Sequence, residues 1–303
     1  MGRILVTGGA GFIGSHLVDN LVKENEITVI DKLSSKKKFI NSKAKFIEKD
    51  LLNIKDIIDL FDGIGTVFHI AANTDVKLSS IGTRAQFEQN IVATYNVLEA
   101  IRKKDVEKIV FASSSAVYGR ASMPTEEDYG PLVPESLYGA TKLACEGLIS
   151  AYCHTFGLKS WIFRFANIVG ERSNHGLIPV FIENLRKNPS ELEILGDGKQ
   201  EKSYLYIDEC IDQIFFAFKN SHDKVNIFNV GSEDHISVIK IAQLVSDKMR
   251  LSPKFNFTKG ELGWKGDIPR MLLSIEKLKG LGYMPKYNSS DSVKKTIDGM
   301  LNI

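Results

Sequence analysis

Cysteine is scarce in this chain of 303 residues, with three in all: Cys145, Cys153 and Cys210. They are odd in number and show no CxxC spacing, which predicts neither a disulfide framework nor a zinc site. Unpaired thiols of this kind are typical of a reducing compartment, so we expect a cytoplasmic protein. The histidines show no ligand spacing either, and we expect no metal.

An excess of one charge is also missing, as are long apolar runs. Thirty-nine Lys and Arg against 37 Asp and Glu give a formal charge of +2, which predicts no nucleic-acid partner. The one basic block, Lys36 to Lys38, is typical of a solvated loop, with a contact to a cofactor 2′-phosphate as the alternative. No run approaches the ~18 apolar residues of a membrane span, and no leader precedes the first predicted strand, so we expect no membrane partner.

The sequence does contain short β-branched runs that alternate with helical periods. The predicted strands are 27–30, 45–47, 66–70 and 108–111, and the stretch 87–100 is amphipathic. Apolar strands separated by helices indicate a parallel sheet covered on both faces, and right-handed crossovers make it a Rossmann-type, doubly wound α/β fold.

Glycine and proline punctuation increases after about residue 166, which predicts a smaller C-terminal substrate-binding lobe. We expect residues 1–166 to form the dinucleotide-binding domain. Residues 167–303 are expected to be mainly the substrate lobe, interleaved with the last strands and helices of the first domain. The substrate is expected in the cleft between them.

A glycine-rich turn follows the first predicted strand and opens a helical period. Its residues Thr7 to Gly14, TGGAGFIG, match both the GxGxxG and the TGxxGxxG spacing. Bare backbone at a helix N-terminus is suited to a pyrophosphate, with a merely tight strand-to-helix turn as the alternative. The residues predicted to contact the cofactor here are Gly8, Gly11, Phe12, Ile13 and Gly14.

Acidic residues follow the next two strands. Asp31 ends the second strand, where its carboxylate can accept both ribose hydroxyls of the adenosine half and would repel a 2′-phosphate. This favours NAD, although the nearby lysines leave NADP open by charge alone. Asp50 and Leu51 are predicted to contact the adenine, with Asp50 as the N-cap of a helix from Ile54 as the alternative.

A phenol and an ammonium stand four residues apart, at Tyr138 and Lys142, and therefore on one face of a helix. A neighbouring cation favours phenolate, which predicts a lowered pKa for Tyr138 and a role as general base. The preceding strand ends in the serines 113–115, whose hydroxyls reach the same sheet edge as the glycine turn. A serine there can hydrogen-bond a substrate oxygen as charge develops on it.

These motifs together resemble the extended short-chain dehydrogenases/reductases, and within them the NAD-dependent epimerase/dehydratase family and its nucleotide-sugar epimerases of the UDP-glucose 4-epimerase type. The resemblance extends nearly from end to end. Besides the glycine turn it includes HIAA at 69–72, Asn90, SSSAVYG at 113–119, YGATK at 138–142, RFAN at 164–167, GDGKQ at 196–200 and GD at 266–267.

The resemblance implies roles for individual residues. Tyr138 corresponds to the family's base, Lys142 to the partner that contacts the cofactor ribose and tunes the base, and Ser114 to the catalytic hydroxyl. It also implies a tightly bound NAD and a homodimer that pairs the helices near 87–102 and 137–152. The further cofactor contacts implied are Ala71, Ala72, Asn90, Ser113 and Tyr138 itself, with a core or capping role as the alternative for Asn90.

The resemblance implies a nucleotide-sugar substrate, but two positions differ from the family. Lys202 and Trp264 stand where relatives place arginines against the pyrophosphate, and Lys265 is a candidate for the missing charge. Asp267 is expected to reach a nucleoside ribose or to cap a turn. The other implied substrate contacts are Ser115, Asn167, Leu177, Glu193 and Leu195.

The residues after Ser114 narrow the expected chemistry. Family dehydratases carry an acidic pair after the strand-end hydroxyl, and decarboxylases usually keep a glutamate there. This chain has Ser115 and Ala116, so no acid is available to protonate a leaving hydroxyl. The sequence therefore favours a nucleotide-sugar 4-epimerase, with a reductase or dehydrogenase of the same family, or a non-catalytic NAD-binding protein, as alternatives.

Overall fold

A parallel sheet of seven strands is the largest element of the protein. The computed structural model describes residues 2–32, 39–75, 82–258, 260, 262–263 and 267–302. The strands of this sheet and of three smaller ones are, in chain order, β1 (Arg3–Thr7), β2 (Glu26–Asp31), β3 (Lys45–Glu48), β4 (Thr66–His69), β5 (Lys108–Ser114), β6 (Lys159–Phe165), β7 (Asn167–Val169), β8 (Glu191–Ile194), β9 (Glu201–Lys202), β10 (Tyr204–Tyr206), β11 (Val225–Val230), β12 (Ile236–Ser237), β13 (Lys254–Phe257) and β14 (Arg270–Met271).

Helices separate most of these strands. They are α1 (Phe12–Leu21), α2 (Ile54–Ile57), α3 (Thr83–Gln86), α4 (Ala93–Lys103), α5 (Leu137–Phe156), α6 (Leu177–Lys187), α7 (Ile207–Asn220), α8 (Val238–Lys248), α9 (Glu276–Gly280) and α10 (Ser289–Leu301). Among the described residues, no helix is both long and apolar enough to cross a membrane.

The order of the sheet is β11-β6-β5-β4-β1-β2-β3, with β1 parallel to both β2 and β4. The order reverses beside β1, which is the position where open α/β sheets bind ligands at the carboxyl ends of their strands. Thr7, at the end of β1, is in register with Ile30 on one side and His69 on the other. The predicted Rossmann-type fold is confirmed.

The chain divides into two units, and the division is not a single cut at residue 166. The first unit comprises Met1–Gly119, Leu132–Arg164 and Ala217–Phe228, and the second comprises Arg120–Pro131, Phe165–Phe216 and Asn229–Ile303. The first is built on fully buried side chains from the sheet and its helices, and the second on a separate apolar cluster around α6, β8, α8 and α10. Each large apolar side chain buried in this way contributes roughly 1.5–3 kcal/mol to folding.

Two helices of the first unit carry the residues of interest. In α5, Ser136 caps the N-terminus by accepting the Gly139 N–H at 3.1 Å, and Gly157 follows the C-terminus with φ +78°. The stretch predicted as one helix from residue 87 begins earlier, with α3. Between α3 and α4 lies a π-helical turn over Phe87–Val92, a feature that is frequent at functional sites.

Candidate active site

The glycine turn after β1 is too crowded for side chains at two positions. Gly8 has φ +72°, and a Cβ there would lie 2.6 Å from the Ala71 nitrogen. A Cβ on Gly14 would lie 2.2 Å from the Gly8 carbonyl oxygen. In both cases the clash is with a backbone atom, which cannot move away by a side-chain rotation. These two glycines therefore allow the turn to pack against α1 and against the end of β4.

The front of the turn has the features of a dinucleotide site. Gly11 precedes α1, and no described side chain caps this end of the helix. A Cβ on Gly11 would meet only the Gly8 oxygen, at 3.3 Å, so its surroundings are open. The Asp31 carboxylate accepts the Ala10 N–H at 3.1 Å, which places it beside the turn. Uncapped N–H groups and an adjacent carboxylate fit a pyrophosphate and a ribose.

A buried histidine connects the strands beneath this turn. His69 Nδ1 lies 2.7 Å from Thr7 Oγ1, and His69 Nε2 lies 2.9 Å from Thr94 Oγ1. Thr7 Oγ1 also accepts the Ala71 N–H at 3.3 Å. Burial, with a smaller contribution from the Lys142 charge, lowers the pKa of His69 to about 3. The imidazole is therefore neutral and holds the ends of β1 and β4 against α4.

This environment makes stability depend on pH in a predictable direction. Unfolded His69 titrates near its ordinary pKa of 6.5, so between pH 6.5 and 3 unfolding takes up a proton. His69 thus stabilises the fold above pH 6.5, and the contribution is lost as the pH falls toward 3. We expect a loss of about 1.4 kcal/mol per pH unit in this window.

Urea unfolding at pH 7.5 and pH 5 tests this expectation. His69→Asn should show a smaller loss of unfolding free energy between the two pH values than the unaltered chain. Removing an exposed histidine with His154→Asn should leave that loss as it is. Equal losses in His69→Asn and in the unaltered chain would contradict a neutral, buried His69.

The predicted catalytic residues lie together at the end of β5. The Tyr138 phenol lies near the Ser114 hydroxyl, which lowers the pKa of the phenol in part. Lys142 is buried, donates to the Ala112 carbonyl at 2.7 Å and has its Nζ 5.9 Å from the centre of the Tyr138 ring. Ser114 Oγ also accepts the Ala116 N–H at 3.2 Å, at the start of a 3-10 turn over Ser115–Val117.

The expected lowering of the Tyr138 pKa is wrong for the chain by itself. Burial raises the pKa of Tyr138 to about 12, and the Ser114 hydrogen bond opposes this only in part. Burial also lowers the pKa of Lys142 to about 8, against the effects of Cys145 and Glu146. Desolvation therefore sets the direction of the Tyr138 pKa shift, and the phenol of the chain by itself is neutral near pH 7.

Two residues that the sequence reasoning did not single out adjoin this group. Glu146 accepts the Ser113 hydroxyl at 2.5 Å, and Arg164 binds both oxygens of the same carboxylate, the shortest contact being 2.8 Å. Arg164 also donates to the Tyr118 hydroxyl at 2.9 Å. The signal for Glu146 was present in the sequence, because Tyr138, Lys142 and Glu146 repeat every four residues and so share one helix face.

Asn90, in the π-helical turn, holds the segment after β4. Its Oδ1 accepts the Asn73 N–H at 2.7 Å, and its Nδ2 lies within donating distance of the Asn73 carbonyl, Gln86 Oε1 and Thr141 Oγ1. Asn90 is buried, so its side chain fixes the backbone that follows Ala71 and Ala72. This geometry gives Asn90 the supporting role that the sequence left open beside direct cofactor contact.

Asp50 is not the N-cap of the helix from Ile54, because α2 begins after Asn53. Its carboxylate instead accepts the Leu52 N–H at 3.0 Å and closes a tight turn. Leu51 is buried, and its carbonyl accepts from Asn96 Nδ2 at 2.8 Å.

The second unit contains most of the predicted substrate residues. Lys202 Nζ pairs with Asp267 Oδ1 at 2.5 Å, and Asp267 Oδ2 accepts the Gly263 N–H at 3.0 Å. Asp267 thus closes a turn and neutralises the lysine that replaces a family arginine. Asn167 donates to the carbonyl of Ser203, next to Lys202. Trp264 and Lys265, and the lysine run 36–38, lie outside the described residues.

Three further substrate candidates lie on or beside α6 and β8. Leu177 is the first residue of α6, Glu193 is exposed on β8 and Leu195 follows that strand. A Cβ on Gly263 would lie 3.1 Å from Asp267 Oδ2 and 3.9 Å from Leu195 Cβ, so this turn brings Leu195 and Asp267 into one neighbourhood.

Known proteins resemble this chain over nearly its whole length. A Methanocaldococcus jannaschii protein named as a putative UDP-glucose 4-epimerase is 33% identical over 99% of this chain and 98% of its own. A crystal structure of a UDP-galactose 4-epimerase matches with a TM-score of 0.91 and 41% identity, covering 99% of both chains. A Bacillus cereus UDP-glucuronic acid 4-epimerase, solved with UDP-glucuronic acid and NAD, matches with a TM-score of 0.90 and 30% identity over the same share.

Relatives also include a decarboxylase and dehydratases of nucleotide sugars, so the family is compatible with more than one reaction. The family model described as "NAD dependent epimerase/dehydratase family" matches residues 4–231, which contain the glycine turn and the Ser114, Tyr138 and Lys142 group. The predicted cofactor, NAD, is confirmed. The chain belongs to the NAD-dependent epimerase/dehydratase family, whose members act on nucleotide sugars.

Proposed function

We propose that this protein is a nucleotide-sugar 4-epimerase that interconverts UDP-glucose and UDP-galactose through a transient 4-keto sugar. The observation that carries the proposal is the Ser114, Tyr138 and Lys142 group without an acidic side chain at Ser115 or Ala116. This set can move a proton to and from one hydroxyl. It offers no group to protonate a departing hydroxyl at the neighbouring carbon, as elimination requires.

The residues have distinct tasks in this mechanism. Tyr138 removes the proton of the sugar 4-hydroxyl and later returns it to the 4-oxygen. Ser114 hydrogen-bonds the same oxygen as its charge changes, and Lys142 supplies a positive charge beside the phenol. Bound NAD supplies a reversible hydride acceptor and a further positive charge, and we propose that it stays tightly bound through turnover.

The second unit is proposed to hold the nucleotide. Its candidate contacts are Asn167, Leu177, Glu193, Leu195, Lys202 and Asp267. In the free chain Lys202 Nζ already forms an ion pair with Asp267 Oδ1 at 2.5 Å. A diphosphate would therefore compete with this carboxylate for the ammonium. We propose that this exchange, in place of a bidentate arginine, holds the pyrophosphate.

A panel of UDP-sugars tests the proposed function. The NAD-loaded protein is incubated with UDP-glucose, UDP-galactose, UDP-glucuronic acid and UDP-N-acetylglucosamine, and the products are separated by chromatography. We expect UDP-glucose and UDP-galactose to interconvert without accumulation of NADH. Stoichiometric NADH production would indicate the dehydrogenase alternative, and a lack of conversion of all four would reject an epimerase of UDP-sugars.

We also propose that the protein is a cytoplasmic homodimer joined through α4 and α5. These helices pack side by side, with Tyr152 donating to Glu99 at 2.7 Å and Arg102 lying 5.5 Å from the Phe156 ring centre. Around this contact Phe87, Tyr95 and Phe156 are each about half exposed, at 53%, 46% and 53%. Large apolar side chains exposed on adjacent helices are typical of a covered interface.

Phe156→Asp should convert the dimer into a monomer, because the buried interface would then contain an unpaired charge. Light scattering coupled to size exclusion gives the mass directly. Met284→Asp is the matched control, since Met284 is 78% exposed and belongs to the second unit. A monomeric unaltered chain, or a Phe156→Asp variant that stays dimeric, would contradict this interface.

A further inference from the structure

Three residues of α5 contact three successive residues at the end of β5. Tyr138 lies near the Ser114 hydroxyl, Lys142 donates to the Ala112 carbonyl at 2.7 Å, and Glu146 accepts the Ser113 hydroxyl at 2.5 Å. The first two contacts belong to the proposed reaction. The third joins the same helix and strand, although the mechanism gives Glu146 no chemical task.

Glu146 is itself held firmly. It is buried, and the guanidinium of Arg164 on β6 binds both its oxygens, with Nη2 to Oε2 at 2.8 Å and Nε to Oε1 at 3.1 Å. The remaining arm of Arg164 donates to the Tyr118 hydroxyl. Burying such an ion pair costs desolvation energy that its own attraction scarcely repays, so stability alone is a weak reason for it.

The geometry of a strand connects Ser113 to Ser114. Successive side chains on a strand point to opposite faces, so fixing the direction of Ser113 also fixes that of Ser114. Ser114 is the last residue of β5, and the chain turns directly after it at Ser115–Val117. The bond from Ser113 to Glu146 joins the side chain next to Ser114 directly to α5.

We propose that Glu146, oriented by Arg164, is a positioning residue for the reaction: through Ser113 it sets the strand end so that Ser114 meets Tyr138. This proposal rests on the proposed hydride-transfer function. Glu146 lies two helical turns from Tyr138, and it acts through Ser113 without contact to the reacting atoms.

Ser113→Ala is the informative variant. Glu146→Ala would leave Arg164 buried without its partner and can fail to fold, whereas Ser113→Ala removes one hydroxyl and keeps the ion pair. We expect kcat to fall by roughly 10- to 100-fold, because small displacements of reacting groups have effects of this size. The Ser113 hydroxyl is buried and donates to Glu146, so its loss should change KM for the nucleotide sugar and the Kd of NAD little. Ser113→Thr, which keeps a hydroxyl, should restore kcat.

Ser246→Ala provides the matched control. Ser246 is as buried as Ser113, but its hydroxyl donates only to Ala242 within α8 of the second unit, at 2.8 Å. We expect this variant to keep the kcat of the unaltered chain. A Ser113→Ala variant with unchanged kcat, or one whose loss of kcat Ser113→Thr does not restore, would overturn the positioning role.

A readout without turnover separates this proposal from the proposed function. Crystal structures of the NAD complexes give the distance between Tyr138 Oη and Ser114 Oγ directly. We expect a hydrogen bond in the unaltered chain and in Ser113→Thr, and a lengthened contact in Ser113→Ala. An unchanged hydrogen bond in Ser113→Ala would refute the positioning role, even if the protein converted none of the UDP-sugars.

Discussion

Replacing Tyr138 with phenylalanine should abolish epimerisation while NAD remains bound. The substitution keeps the ring and removes only the hydroxyl that we propose exchanges a proton with the sugar. Loss of a positioned acid–base group costs about 10²- to 10⁴-fold in rate, and no neighbouring group replaces this hydroxyl, so we expect a loss at the upper end. Turnover of UDP-galactose and the NAD released on acid denaturation measure the two parts of the prediction.

Tyr283→Phe is the control for the loss of a buried phenol hydroxyl. Tyr283 lies in the second unit, where its hydroxyl contacts Glu209 at 3.3 Å. We expect it to retain full activity. If Tyr138→Phe turned over at the rate of the unaltered chain, the assigned base would be wrong. If it lost NAD as well, Tyr138 would serve binding rather than proton transfer.

Gly14→Ala should weaken NAD binding. The added methyl would lie 2.2 Å from the Gly8 oxygen, so the turn must open or α1 must move. Overpacking of this kind costs about 1–3 kcal/mol, and here it distorts the glycine turn that we expect to contact NAD. We therefore expect NAD affinity to fall by about 10- to 100-fold, since 1.4 kcal/mol corresponds to tenfold. Titration calorimetry gives the affinity.

Gly280, at the end of α9, is the control position for Gly14. A Cβ there meets nothing within 4 Å, so Gly280→Ala should leave NAD affinity unchanged. Comparing Gly14→Ala with Gly280→Ala separates a steric effect at the glycine turn from the general effect of adding a methyl group to a helix. Equal NAD affinity in Gly14→Ala and the unaltered chain would show that the turn does not approach the cofactor as we describe.

Local patterns were sufficient to predict the first five strands of the chain and the glycine turn, but not the strands from β6 onward. The apolar runs before Gly8 and around Val67 have the period of buried strands, and both lie within strands of the sheet. Glycine at positions 8 and 14 follows from backbone contacts within that motif. Short-range chemistry of this kind is encoded in a few adjacent residues.

Three features of the candidate site depend on tertiary structure and could not be predicted from local sequence patterns. The sign of the Tyr138 pKa shift depends on burial, which a four-residue spacing does not encode. The pair formed by Lys202 and Asp267 joins residues far apart in the chain, so the free lysine expected at the pyrophosphate is engaged. Asp50 was a plausible helix cap, but the helix begins after Asn53 and the carboxylate closes a turn.

The fate of the hydrogen at sugar C4 tests the central claim most directly. UDP-galactose deuterated at C4 is incubated with the NAD-loaded protein in ordinary water, and the UDP-glucose formed is analysed by mass spectrometry and NMR. We predict that the deuterium is retained at C4 of the product, because the same hydrogen leaves and returns within one site. UDP-glucose without deuterium at C4, or no UDP-glucose at all, would contradict the account.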